Sequence, residues 1–277
     1  MKSILKSEFR DSFFAKIVLI FLIVLSVWWI SMFMRNLTEG TENNAFTLIY
    51  PWLSLVGGIF GLYASRQWGG LKSAFGKCLT FLAVGLLLQF FGQAAYAYYI
   101  YIEGIEVPYP SLGDVGYFGS IILYILGALY IGKVTGIKFR LKSYLARGQA
   151  LVIPIILLLL SYIIFLNNYE LDPSQDLKTF LDFGYPFGQA VYVSIAISII
   201  LLSRKMLGGL MKGPVILLLI SLLIQYMCDF TFLYQSSQGT WYVGGVNDYM
   251  YFVSYFFMTL SLIFINATFK EIESEQS

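Results

Sequence analysis

The chain has 277 residues, 58% of them hydrophobic and only 12% charged, with a mean hydropathy of +0.73. A soluble domain carries about 25% charged residues, so this composition excludes a soluble globule, a disordered chain and a secreted disulfide scaffold. The absence of histidine removes His-ligated zinc, Ser-His-Asp triads and imidazole proton shuttles.

Taken in chain order, the apolar runs predict eight membrane-spanning helices, near 13–34, 46–66, 75–101, 114–134, 145–166, 180–203, 213–234 and 246–269. Each is long enough to cross ~30 Å of hydrocarbon at 1.5 Å per residue. Runs such as Leu151–Leu160 and Ile216–Leu223 do not alternate, so a β-barrel is excluded and the expected fold is an all-α polytopic helical bundle forming a single membrane domain. A basic segment precedes the first span, but no small-x-small cleavage site follows Ile30, so the span is expected to be retained. The seventh span, Pro214–Tyr234, has no lysine for a retinal Schiff base. Cys78 and Cys228 are expected to lie at heights roughly 17 Å apart, too far for a disulfide, which spans at most ~7 Å.

The positive-inside bias sets orientation. With the N-terminus inside, sixteen of the eighteen basic residues fall on the cytoplasmic side, including Lys2, Lys6, Arg10, Arg66, Lys138, Arg140, Lys142, Arg204 and Lys205; Arg35 and Lys178 remain outside. Both termini are then cytoplasmic, as a multi-pass protein of the plasma (inner) membrane with an even number of spans requires.

An internal repeat runs through the spans. Even-numbered helices begin with Thr47-x-x-Tyr50, Asp114-x-x-Tyr117, Asp182-x-x-Tyr185 and Asp248-x-x-Tyr251, at steps of 67, 68 and 66 residues. In the preceding helices Ser26, Gln93, Ser161 and Asp229 recur at 67, 68 and 68. The reading is four tandem hairpins, roughly 13–66, 75–134, 145–203 and 213–269. In the second and fourth, Gln89 and Gln93 correspond to Gln225 and Asp229, one stripe on a helix face.

Helix capping accounts for Asp114, Asp182 and Asp248 without a ligand: Ser111-x-x-Asp114 and Thr179-x-x-Asp182 read as capping boxes, and Gly245 precedes Asp248 by three residues. Asp229 lies inside its span, where capping does not apply and a carboxylate costs several kcal/mol unless paired, protonated or wetted. Trp28, Trp29, Trp52, Trp241 and many tyrosines crowd the expected outer ends. Part of this is a headgroup belt; the rest suits an aromatic, acidic pocket for a cation or amphipathic ring. The candidate ligand-binding residues are Gln89, Gln93, Asp114, Tyr117, Asp182, Tyr185, Gln225, Asp229, Asp248 and Tyr251. No catalytic residue, metal ligand or cofactor is expected, and the cytoplasmic loops carry no phosphate loop or cysteine cluster. Gly57-Gly58, Gly69-Gly70 and Gly208-Gly209 read as close packing or turns.

The segment Pro110-Ser111-Leu112-Gly113-Asp114-Val115-Gly116-Tyr117 resembles the P-S-x-A-D-x-x-Y motif of bacterial multi-span membrane domains found ahead of diguanylate cyclase catalytic domains, with Gly113 in place of the usual Ala. The resemblance implies sensing of a membrane or extracytoplasmic signal, with Pro110, Ser111, Asp114 and Tyr117 as motif residues. The expected function is a non-enzymatic sensor that binds a small ligand or cation from the outer side and reports through a membrane or cytoplasmic protein partner. A secondary transporter is the alternative and a structural subunit of a membrane complex the third. Beyond these the partner is the lipid bilayer itself, and no nucleic acid is expected. Ser111-Leu112-Gly113-Asp114 lacks the first glycine of the intramembrane aspartyl protease motif.

Overall fold

A computed structural model describes residues 12–136, 144–166, 175–203 and 210–276. The elements are α1 (Phe13–Met34), α2 (Thr41–Ile49), α3 (Trp52–Gln67), a short 3-10 turn (Gly70–Lys72), α4 (Ala74–Ala97), α5 (Leu112–Val134), α6 (Tyr144–Ser161), α7 (Asp176–Ser203), α8 (Lys212–Ser237) and α9 (Val246–Gln276). Helices α4 and α6 continue into π-helical turns, Tyr98–Glu103 and Tyr162–Leu166. No strand occurs among the described residues.

Seven helical stretches among the described residues are long and apolar enough to cross a membrane, and Leu151–Leu166 forms a shorter apolar helix. The chain is thus an all-helical, multi-pass membrane protein. Its surface fits that solvent: Phe13, Ile20, Val24, Val27, Ile59, Leu129 and Ile163 are among many large apolar side chains left exposed, a belt that a water-soluble monomer does not display. The basic residues Lys2, Lys6, Arg10, Lys138, Arg140, Lys142, Arg204 and Lys205, and the pair Gly208-Gly209, lie outside the described residues.

Local chemistry moves several boundaries from their expected places. The second span starts at Thr41 rather than near 46 and breaks between α2 and α3, where Pro51 has no N–H for the helical ladder and opens the new helix instead. Helix α7 begins at Asp176, ahead of Thr179, so Asp182 sits in its second turn and does not cap it. The capping box at Ser111 and Asp114 is present, with both reciprocal bonds made.

Six helices close into a ring. Helix α3 packs on α4, α4 on α5, α5 on α7, α7 on α8, α8 on α9, and α9 returns to α3. Cross-helix contacts fix direction. Tyr185 meets Asp114, while Ile121 lies against Gly188, so α5 and α7 run parallel. Tyr50, just ahead of α3, meets Asp248, and Leu53 meets Thr259, so α3 and α9 run parallel too. Helices α4 and α8 run the other way. Asp114 and Asp248 therefore share one end of the bundle, hereafter the acidic end.

Helices α1 and α6 lie outside the ring, α1 on α9 and α6 on α7. Of the most apolar stretch of α1, 22% is buried, against 72% for α9; α9 is the central helix and α1 a lipid-facing one. At the acidic end α1 is latched by polar atoms. Trp29 stacks on Tyr249 at 4.3 Å and donates from its indole nitrogen to the Gly244 carbonyl at 3.0 Å, and the Tyr249 hydroxyl donates to Ser26.

Small residues set the ring's diameter, because helices in lipid associate by close backbone approach rather than by hydrophobic transfer. Gly57 and Gly61 face Thr259, Ala83 and Leu262, and Gly116 meets the backbone of Gly92 on α4. Gly69 and Gly70 instead serve a turn, both at positive φ. A methyl group added at Gly116 would lie 2.6 Å from the Gly92 nitrogen, a backbone clash that no rotamer relieves. Gly116→Ala is expected to destabilise the protein by ~1–3 kcal/mol, read as a lower unfolding temperature in detergent. Gly148→Ala, where nothing lies within 4 Å, is expected to leave that temperature unchanged or slightly raised.

Candidate functional site

The site is built from the first turns of α5 and α9 and the interior stretch of α8. Asp114 caps α5: its Oδ2 accepts from the Ser111 backbone N–H at 2.7 Å and from the Ser111 hydroxyl at 3.2 Å. Its other oxygen faces inward, where the Tyr185 hydroxyl of α7 donates at 2.7 Å. Asp248 does the same in α9, accepting from the Gly244 N–H at 2.7 Å and from the Tyr50 hydroxyl at 3.1 Å. Capping thus uses one oxygen of each carboxylate, and a tyrosine from the neighbouring helix uses the other. The two tyrosines lie 135 residues apart and the two aspartates 134.

Asp229 has no capping role. It lies inside α8 and accepts three hydrogen bonds, from the Tyr251 hydroxyl at 2.8 Å, the Tyr192 hydroxyl at 2.9 Å and the Gln225 amide one turn below at 3.0 Å. The Gln225 carbonyl in turn accepts from the Ser254 hydroxyl at 2.9 Å. On the other side of the ring Gln89 of α4 donates to Ser120 at 2.7 Å and accepts from the Tyr255 hydroxyl at 2.9 Å. Tyr255 ties the groups together, its ring 6.1 Å from both Tyr50 and Tyr251.

Asp114, Asp229 and Asp248 are each buried to within 6% exposure. Every donor that reaches them is neutral: phenol, serine hydroxyl, side-chain amide or backbone N–H. Such donors lower the cost of burying a carboxylate but cannot cancel its charge. Asp229 uses three of the ~four acceptor positions of an ionised carboxylate, and Asp114 likewise three. Each of these two carboxylates is thus left with about one acceptor position that no hydrogen bond fills.

The remaining expected residues take other places. Asp182 is half-buried and accepts from the Tyr109 hydroxyl at 2.7 Å. Tyr117 packs edge-on against Tyr96, ring centroids 5.2 Å apart. Gln93 is half-buried and lines a cavity of about 390 Å³ between α2, α3 and the end of α4, a cavity whose lining includes none of the carboxylates. Tyr192, Tyr255, Ser120 and Ser254 are participants that the span-by-span reading does not select. The signal for two of them is spacing, since Tyr192 follows Tyr185 by seven residues and Tyr255 follows Tyr251 by four, on the same helix faces.

Cys78 and Cys228 are buried and free. Among the described residues no group of three or more Asp, Glu or Cys side chains has the geometry of a metal centre. No protein-family model, curated protein or solved structure matches the chain.

The carboxylate–tyrosine bonds should be measurable. Interhelical hydrogen bonds in membranes average ~0.6 kcal/mol and reach ~1.7, and a charged acceptor belongs at the upper end. Tyr185→Phe and Tyr50→Phe are each expected to cost ~1–2 kcal/mol in reversible unfolding. Double-mutant cycles with Asp114→Asn and Asp248→Asn, respectively, should return a coupling of similar size.

Proposed function

We propose that this chain is a non-enzymatic sensor of the plasma membrane that binds a small cation, or a cationic amphipathic ring, in the outer half of the bilayer. In this reading the chain crosses the membrane eight times as four tandem hairpins with both termini cytoplasmic, and the acidic end faces outward. The observation that carries it is the set of three buried carboxylates held only by neutral donors inside the helix ring. An intramembrane carboxylate without a counter-charge is costly, and a positive ligand would supply the missing charge. The matched Tyr50–Asp248 and Tyr185–Asp114 bonds, whose tyrosines lie 135 residues apart and whose aspartates lie 134 apart, support the repeat.

The signal would travel through the ring. A cation drawn to Asp229 competes for lone pairs now held by Tyr192 of α7, Tyr251 of α9 and Gln225 of α8, so binding shifts the packing of three helices at once. Transport is the second reading, favoured by the polar side chains that continue along buried α9 below the carboxylates, Ser254, Thr259 and Ser261.

The test is a thermal-shift screen of purified protein in nanodiscs against alkali cations and tetraalkylammonium ions. Stabilisation by at least one of them, lost in Asp229→Asn while the unliganded protein stays folded, is the expected result. No shift with any cation, or a shift retained in Asp229→Asn, would contradict the proposal. Cation flux into proteoliposomes that disappears in Asp229→Asn would favour transport over sensing.

A further inference from the structure

The cavity beside Gln93 is chemically one-sided. Its apolar lining comes from Leu48, Trp52, Phe90, Ala94, Ala97 and Ile102. Leu48 is 44%, Trp52 55% and Ile102 74% exposed on the outside of the bundle, so the mouth opens on the same apolar surface that faces hydrocarbon. Hydrogen-bonding side chains are few: the Gln93 amide, the Tyr98 hydroxyl, which is engaged with Glu103, and the Thr47 and Tyr101 hydroxyls, which bond each other at 3.0 Å. No Asp, Glu, Lys or Arg lines it. Glu103, just beyond the lining, is hydrogen-bonded to Tyr98 and sets a negative charge at the rim. One wall is the π-helical turn Tyr98–Glu103, a distortion frequent at functional sites.

We propose that this cavity is a lateral binding site for an uncharged single-chain amphiphile that enters from the bilayer, with its hydrogen-bonding end at Gln93 and the Thr47–Tyr101 pair and its chain along Trp52 and Phe90. The size, about 390 Å³, lies near the lower end of the ~300–1,000 Å³ of small-molecule sites and suits one chain. Glu103 repels an anionic end, and the lining offers a cationic end no carboxylate to replace its hydration. Mostly apolar walls with a few placed polar groups are what such a site needs. Gln93 also adjoins the Tyr255 hydroxyl that donates to Gln89, so an occupant would touch the edge of the polar network inside the ring. This site is independent of the cation reading, because it shares no carboxylate with it.

The experiment uses the full chain in phosphatidylcholine nanodiscs, irradiated with a monoacylglycerol carrying a diazirine in its acyl chain, with labelled positions mapped by mass spectrometry. Labelling of residues 47–52 and 90–102 is expected to saturate and to be displaced by unlabelled monoacylglycerol. It should fall about tenfold, equivalent to ~1.4 kcal/mol, in Ala94→Trp, which fills the cavity. Leu48→Trp blocks the exposed mouth without touching the core and should also reduce it. Ile20, Val24 and Val27 of α1 should label without saturation. Labelling at the cavity that fails to saturate, that both variants leave unchanged, or that an ionised fatty acid displaces as well as monoacylglycerol does, would overturn the proposal.

Discussion

A carboxylate inside hydrocarbon must have its lone pairs filled by the protein, and most of this bundle's interior is arranged around that requirement. Asp229 is only 6% exposed, and tyrosines from two neighbouring helices and a glutamine from its own hydrogen-bond it. Each of these bonds also sets the rotation of a helix. Tyr192 fixes α7 against α8, Tyr251 fixes α9 against α8, and the Tyr185–Asp114 and Tyr50–Asp248 bonds fix α7 on α5 and the α2–α3 break on α9. The polar groups that cost most to bury are thus the ones that specify which helix faces which.

Close approach makes these bonds geometrically possible. A tyrosine can span from one helix to a carboxylate on the next only if the axes lie near each other, and glycine supplies that at Gly57 and Gly61 on α3 and at Gly92 and Gly116 between α4 and α5. The two features support each other: glycine seams bring backbones together, and hydroxyl–carboxylate bonds choose the register of the seam. Helix α1 has neither a glycine seam nor a buried carboxylate, and it lies outside the ring, held at the acidic end by indole stacking, by hydrogen bonds from Trp29 to Gly244 and Tyr249 to Ser26, and by the bonds of Trp28 and Arg35 to Glu42 of α2.

Hydropathy made the helices legible in the sequence because lipid solvation is a property of each run by itself. The Ser111–Asp114 capping box was legible for the same reason, since all its atoms lie within four residues. Thr179 and Asp182 carry the same pattern, yet α7 starts earlier at Asp176, because the upstream residues can continue the helix and the box does not forbid it. The inward half of each aspartate's bonding was not legible. Tyr185 and Asp114 are 71 residues apart and Tyr50 and Asp248 are 198 apart, and only the packing order of the ring pairs them. Asp229 stood out as an unexplained intramembrane charge, but its partner Tyr192 is one tyrosine among 21 and becomes distinct only when α7 is set beside α8. Gln93 shows the opposite outcome: it shares a stripe with Gln89 but sits four residues nearer the end of α4, where it lines a lipid-facing cavity beside the network.

The central claim is that the Asp229 side chain, held by phenols within the ring, is the group that answers a positive ligand. Infrared difference spectroscopy of the protein on cation addition, with and without Asp229→Asn and Tyr251→Phe, addresses it at the level of the carboxyl group. The account predicts a carboxyl band that shifts when the cation is added, moves in Tyr251→Phe and vanishes in Asp229→Asn. A spectrum in which the cation-sensitive bands survive Asp229→Asn, or in which no carboxyl band responds at all, would contradict it.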